Sequence, residues 1–163
     1  MTEKDLLQGK RVLIVDDEPD VLESLEDLLP MCRVAKASTS DEAKRLLETQ
    51  PFDIAILDIM GVYGFELLEI ANKRRVAAVM LTAHAVSPEN IVKSFREGAA
   101  SYLPKDEMVN IISFLNEILE AKEKGESYWG RWLHRLDSYW ERRLGPDWKE
   151  KDKEFWSKFP FYE

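Results

Sequence analysis

Four short apolar runs in this chain end at, or are followed by, polar side chains that could take part in phosphate or metal chemistry. The first run is followed by Asp16 and Asp17, the second ends at Asp58, the third ends at Thr82, and the fourth is followed by Lys105. Short runs rich in β-branched residues, separated by helical stretches, indicate parallel strands buried on both faces. In an open α/β sheet, ligands bind beyond the carboxyl ends of the strands. We therefore expect three carboxylates, a hydroxyl and an ammonium to share one site.

These groups fit one kind of chemistry. Three carboxylates that converge repel one another, so they must protonate or share a cation, and oxygen ligands of this kind suit Mg²⁺ (or Mn²⁺) rather than zinc. The carboxylate of Asp58 could attack a phosphorus atom in line and form an aspartyl phosphate. Lys105 and the metal would neutralise charge on the phosphoryl oxygens, and the hydroxyl of Thr82 could donate a hydrogen bond to one of them.

The elements that must position these residues alternate between strand and helix. The predicted strands cover residues 11–15, 33–37, 54–58, 77–82 and 101–103. Thr39 with Glu42 three residues later is a capping-box pattern, and Ser87 before Pro88 predicts another helix start. Asp106 is interpreted as the N-cap of the last of these helices. Right-handed crossovers then predict a doubly wound, five-stranded parallel sheet of flavodoxin-like order 2-1-3-4-5.

Length and composition predict one main domain with additions. We assign residues 1–9 to an N-terminal lead, 10–124 to the α/β domain and 125–163 to a helical tail. The net charge of −8 argues against nucleic acid as a direct partner. Cys32 stands alone, which fits a reducing cytoplasm, and neither a membrane span nor a secretory leader is predicted.

With these residues in view, residues 10–122 resemble a bacterial two-component response-regulator receiver domain, similar to chemotaxis regulators. The resemblance rests on the segments 13–18, 56–58, 80–83 and 102–105, which read LIVDDE, ILD, MLTA and YLPK. It implies that Asp58 is the phosphoacceptor, and that Asp16, Asp17, Asp58 and the backbone carbonyl of Met60 hold Mg²⁺. It further implies that Lys105 and Thr82 stabilise the phosphoryl group, and that Thr82 and Tyr102 form a conformational switch.

The loop after Asp58 departs from the family pattern, because it lacks a proline and is about two residues short. His84, with Ala83 beside it, is interpreted first as an exposed loop residue. A role for His84 in tuning the lifetime of the phosphoryl group remains open.

The function implied is that of a receiver in a phosphorelay. Asp58 would accept a phosphoryl group from a sensor histidine kinase or a phosphotransfer protein, and the signal would pass to an unknown downstream protein or to a second copy of the chain. Two alternatives stay open at this stage: a phosphorylation-independent adaptor, and a phosphohydrolase of the haloacid-dehalogenase type. The second is disfavoured because Met60 stands where that class needs a second aspartate.

The tail is rich in aromatic residues. It contains all five tryptophans of the chain: Trp129, Trp132, Trp140, Trp148 and Trp156. A segment of about 39 residues rarely folds alone, so these rings must cover something. Two interpretations remain open, a helix folded back on its own α/β domain and an interaction surface for a partner. Binding to a membrane surface is disfavoured because the tail has no net positive charge.

Overall fold

A computed structural model describes residues 6–59, 64–82 and 87–159. The strands are β1 (Arg11–Val15), β2 (Arg33–Ala37), β3 (Ile54–Asp58), β4 (Ala77–Thr82) and β5 (Ser101–Pro104). The helices are α1 (Pro19–Leu28), α2 (Ser40–Thr49), α3 (Gly64–Lys73), α4 (Pro88–Arg96), α5 (Ile111–Glu123), α6 (Trp129–Leu144) and α7 (Lys153–Lys158). Two 3₁₀ helices cover Lys105–Asn110 and Trp148–Asp152.

The five strands form one parallel sheet in the order β2-β1-β3-β4-β5. Every residue of the central strand β3 is buried, because helices cover both faces of the sheet and leave its apolar side chains no contact with water. The predicted fold class and strand order are confirmed. The predicted bounds of the first four strands also agree with the structure.

Side-chain caps fix the starts of two helices, α2 and α4. The side chain of Thr39 accepts a hydrogen bond from the backbone N–H of Glu42 at 3.2 Å, and that of Ser87 accepts one from Asn90 at 3.1 Å. Each hydroxyl thus satisfies an N–H group that the first helical turn leaves without an intrahelical partner. Pro88 supplies the fixed backbone angle at the start of α4.

The interpretation of Asp106 as a helix cap was wrong. A 3₁₀ helix begins at Lys105, its N-cap is Pro104, and no side chain caps it. The carboxylate of Asp106 instead accepts hydrogen bonds from the hydroxyl of Tyr139 and the guanidinium of Arg143, at 2.8 and 2.7 Å. Two donors from the tail therefore share one oxygen atom of this carboxylate, Oδ2.

The tail is helical and joins the main core. Helix α6 ends at Gly145, whose φ of 93° is a conformation that residues with a side chain rarely adopt. Trp132 and Trp140 are fully buried and belong to the same apolar cluster as the sheet. The division of the chain near residue 124 stays a prediction.

Among the described residues, no helix is both long enough and apolar enough to cross a membrane.

Candidate functional site

Lys105 lies at the centre of a group of acidic side chains at the carboxyl edge of the sheet. Its Nζ atom is 2.9 Å from Oδ2 of Asp16, 3.1 Å from Oε1 of Glu18 and 3.8 Å from Oδ1 of Asp58. Asp16 and Asp58 are only 1% and 4% exposed. Two buried carboxylates therefore share one ammonium group, which offsets part of their mutual repulsion.

Strand register explains this convergence. Val15 pairs with Leu57 on the neighbouring strand. Asp16 and Asp58 are the next residues along the two chains, so they lie side by side at the ends of β1 and β3. Asp58 pairs in turn with Leu81 of β4, which places Thr82 one residue further along. Because parallel strands all end at the same edge, short runs that stop at polar residues bring those residues together.

The electrostatic environment holds Lys105 in its charged form. Burial lowers the pKa of this lysine, but hydrogen bonds to Asp16 and Glu18 and the charges of Asp16 and Asp58 outweigh that effect. The net result is a pKa above the ordinary value for lysine. A permanent positive charge thus faces Asp58, where the negative charge of a phosphoryl group would be added.

An acidic cluster beside this lysine could hold a divalent cation. One carboxylate oxygen from each of Asp16, Asp17 and Glu18 lies within 4.8 Å of the others. Asp16 also accepts a hydrogen bond from the backbone N–H of Glu18, which fixes the turn after β1. A donor set made of oxygen atoms fits a hard cation such as Mg²⁺. The residues present therefore fit the predicted metal, although the cluster groups Asp16 and Asp17 with Glu18 rather than with Asp58.

Glu18 is a site residue that the sequence analysis missed. Its only signal was its position directly after the Asp16–Asp17 pair. The structure shows that it contacts Lys105 as well as belonging to the acidic cluster.

Gly64 determines how closely α3 can approach the backbone of Asp58. A β-carbon added to Gly64 would lie 2.8 Å from the backbone oxygen of Asp58 and 3.2 Å from the α-carbon of Ile59. Contacts this short require atoms to move, so only glycine lets the start of α3 approach the end of β3 so closely.

Thr82 and Tyr102 lie buried on adjacent strands. Both side chains are fully buried. Burial raises the pKa of Tyr102 to about 12, opposed in part by Thr82 and by the backbone of Ser87. The phenol of Tyr102 therefore lies close to Thr82 and to Ser87, the N-cap of α4.

Three predicted positions lie outside the described residues: Met60, Ala83 and His84. Their predicted roles stay predictions. His134, on the tail, is exposed.

Four of the five tail tryptophans are buried inside the chain, and Trp156 is partly exposed. The indole N–H of Trp129 donates to the backbone oxygen of Ala99 at 2.8 Å, and that of Trp132 donates to the backbone oxygen of Tyr102 at 2.6 Å. Of the two interpretations left open, the structure has the tail folded back on its own α/β domain. A partner surface formed by these tryptophans remains a prediction that requires the tail to move.

Comparison with known proteins identifies the family. Residues 12–116 match the response regulator receiver domain. Over 103 residues the chain is 38% identical to the two-component response regulator ARR18 of Arabidopsis thaliana, and over 105 residues it is 31% identical to the response regulator protein PilR of Pseudomonas aeruginosa. These alignments cover 60% and 61% of this chain, but only 16% and 23% of the two relatives.

A solved structure agrees. The CheY-like response regulator receiver domain protein of Methanospirillum hungatei JF-1 superimposes with a TM-score of 0.66 at 32% identity, covering 72% of this chain and 98% of that one. Since the family match spans more than half of the chain, the chain belongs to the response regulator receiver family. Its relatives include plant and bacterial proteins, so the predicted bacterial origin is not confirmed. The comparisons give no support to the adaptor or the phosphohydrolase.

Proposed function

From the place of the chain in the receiver family, we propose that Asp58 accepts a phosphoryl group from a phosphohistidine of a sensor histidine kinase or a phosphotransfer protein. The observation that carries this proposal is the position of the Lys105 ammonium group. It lies 2.9 Å from Asp16 and 3.8 Å from Asp58, both buried at the carboxyl edge of the sheet. The site thus offers a nucleophilic carboxylate beside a fixed positive charge.

The transfer step follows from the residues present. An oxygen of the Asp58 carboxylate attacks phosphorus, and the bond between phosphorus and the imidazole nitrogen of the donor breaks. The imidazole leaves with the bonding electrons and takes up a proton, so Asp58 becomes an acyl phosphate and the donor histidine is regenerated. Lys105 offsets charge on the phosphoryl oxygens, and the hydroxyl of Thr82 donates a hydrogen bond to one of them.

Asp16, Asp17 and Asp58, with Glu18 beside them, would hold Mg²⁺. When bound, this ion would neutralise charge on the phosphoryl oxygens and orient them for in-line transfer. The backbone carbonyl of Met60 completes the ligand set that we propose.

The signal passes to other proteins through a change of shape. A phosphoryl group adds about −1.5 to −2 charges, and Thr82 moves towards it. Tyr102 follows Thr82, which changes the surface formed by α4, β5 and α5. In this proposal the chain is a cytoplasmic phosphoacceptor and signalling protein, not an enzyme that acts on a separate substrate. The kinase and the downstream partner are proposals of the same kind.

The proposal is tested with radiolabelled acetyl phosphate in the presence of Mg²⁺. We expect the unaltered chain to take up label, Asp58→Asn to take up none, and removal of the metal with a chelator to prevent labelling. The control is Asp20→Asn, which alters an exposed carboxylate on α1 and should label normally. Undiminished labelling of Asp58→Asn would refute the assignment.

A further inference from the structure

The tail covers one continuous face of the receiver fold, the face built by α4, β5 and α5. On α4, the ring of Phe95 lies 5.4 Å from that of Trp129 and 5.4 Å from that of Phe155. On α5, both oxygens of the Glu117 carboxylate accept hydrogen bonds at 2.9 Å, one from the hydroxyl of Tyr128 and one from Arg135. Ring contacts on α4 and hydrogen bonds to a carboxylate on α5 thus hold the tail on this face.

Tyr102 lies at the centre of this contact. Its ring centroid is 5.5 Å from that of Trp140, and its backbone oxygen accepts the hydrogen bond from the indole of Trp132. Tyr102, Trp132 and Trp140 are all fully buried. The ring of Trp140 therefore packs against Tyr102 and helps to keep its side chain out of solvent.

The same tyrosine faces the phosphorylation site. Its phenol lies within hydrogen-bonding reach of the buried hydroxyl of Thr82. In the proposed function, a phosphoryl group on Asp58 draws Thr82 towards it and Tyr102 follows inwards. Tail contacts and a phosphoryl group therefore both act on the position of Tyr102.

We propose that Trp140 is a positioning residue for Tyr102, so that docking of the tail and phosphorylation of Asp58 stabilise each other. This inference rests on the proposed function. Two events that favour the same conformation are coupled, and the coupling is reciprocal. The docked tail must strengthen binding of a phosphoryl group, and that group must strengthen docking of the tail.

The test measures the affinity of the full chain for beryllofluoride, a phosphoryl mimic, in the presence of Mg²⁺ by fluorine NMR. Trp140→Ala should weaken binding by about fivefold or more, the usual lower range of such coupling. The matched control is Trp156→Ala. Trp156 contacts Trp148, Phe155 and Phe159 rather than Tyr102, so its loss should leave the affinity within about twofold.

A measurement in a second variant background distinguishes the positioning of Tyr102 from a merely structural role of Trp140. In a Tyr102→Ala chain, Trp140→Ala should cause no further loss, because the group that it positions has been removed. Trp140→Phe keeps a ring at the contact and should retain most of the affinity. If Trp140→Ala does not fold, Trp132→Phe supplies the measurement. It keeps a ring but removes the N–H that donates to Tyr102, and it should weaken binding.

Reciprocity gives a second readout in the unaltered chain. Beryllofluoride should slow amide hydrogen exchange in α6, and it should not do so in Asp58→Asn. Three results would each overturn the inference: equal effects of Trp140→Ala and Trp156→Ala, tighter binding by Trp140→Ala, or the same loss of affinity in the Tyr102→Ala background. None of them would affect the assignment of Asp58 as the phosphoacceptor. If the unaltered chain fails to bind the mimic, the proposed function falls and the inference falls with it.

Discussion

The residue that organises the site is Lys105. It is the cation in contact with both buried carboxylates, Asp16 and Asp58, and its raised pKa keeps it protonated throughout the physiological range. A group in this position stabilises charge that develops on the phosphoryl oxygens during transfer.

We predict that Lys105→Met slows labelling by acetyl phosphate roughly 100-fold, the size of effect found when one such group is removed. The initial rate of labelling at saturating Mg²⁺ is the measurement. Lys36→Met is the control, because Lys36 pairs with Glu26 at 2.7 Å on an exposed surface, and its rate should not change. A Lys105→Met chain that labels at the normal rate would remove Lys105 from the transfer step.

Tyr102 gives a prediction for alkaline solution. A tyrosine in the unfolded chain ionises near pH 10, whereas burial raises the pKa of Tyr102 in the folded chain to about 12. The unfolded chain therefore loses this proton first. The stabilising contribution is complete below about pH 10 and is lost as the pH rises towards 12. The full effect is on the order of 2 to 3 kcal/mol.

Urea unfolding at several pH values between 9 and 12 measures this loss. Tyr102→Phe should make the decline in the free energy of unfolding less steep. Part of the decline should remain, because burial also raises the pKa of Tyr128. An unchanged slope in Tyr102→Phe would contradict the assignment.

At the scale of single residues, the sequence predicted the site where a polar residue stands at or just after the end of a strand. Asp16, Asp58, Thr82 and Lys105 could be predicted because β-branched runs locate strand ends, and parallel strands share one edge. Glu18 and the contacts of Asp106 could not be predicted. Each depends on a partner far away in sequence, 87 residues for Glu18 and Lys105, and 37 for Asp106 and Arg143.

At the scale of elements, the junction between β3 and α3 controls the position of Asp58. Gly64→Ala would place a β-carbon 2.8 Å from the Asp58 backbone oxygen, so the strand end or the helix must shift. We predict slower labelling of Asp58 together with a loss of about 1 to 3 kcal/mol in the free energy of unfolding, as for other overpacked sites.

The labelling rate and the urea midpoint are measured on the same chain. Glu69→Ala, an exposed change in the same helix, serves as the control and should alter neither quantity appreciably. A Gly64→Ala chain with normal stability and normal labelling would show that this close approach has no role.

Local signals predicted some element boundaries and not others. Thr39 and Ser87 cap their helices as their sequence context indicated, because a cap needs only residues three positions apart. The 3₁₀ helix over Lys105–Asn110 was not predicted, because Asp106 was interpreted as a helix cap. Its carboxylate binds donors from the tail instead, and those donors are distant in sequence. The aromatic residues of the tail were visible in the sequence, but their presence does not identify the face that they cover.

At the scale of the whole molecule, the α4–β5–α5 face is already occupied by the tail. Phe95 and Tyr102 pack against tail rings, and Arg135 lies 3.7 Å over the ring of Phe114. We predict that the full chain keeps the mass of a monomer in light scattering, with or without beryllofluoride.

A shortened chain ending at Lys124 should behave differently, because it exposes the rings that the tail covers. Exposed apolar patches of this kind promote association, so its scattering mass should rise with concentration. Beryllofluoride-dependent dimers of the full chain would show that the tail leaves this face when the site is filled.

The central claim is that Asp58 carries the phosphoryl group, and mapping the modified residue tests it most directly. The full chain is phosphorylated with acetyl phosphate and Mg²⁺ and then reduced with borohydride, which converts an aspartyl phosphate into homoserine. It is then digested and sequenced by mass spectrometry. We predict homoserine at position 58 and unchanged aspartate at positions 16 and 17. Homoserine at another position, or none in a chain that has taken up label, would contradict the account.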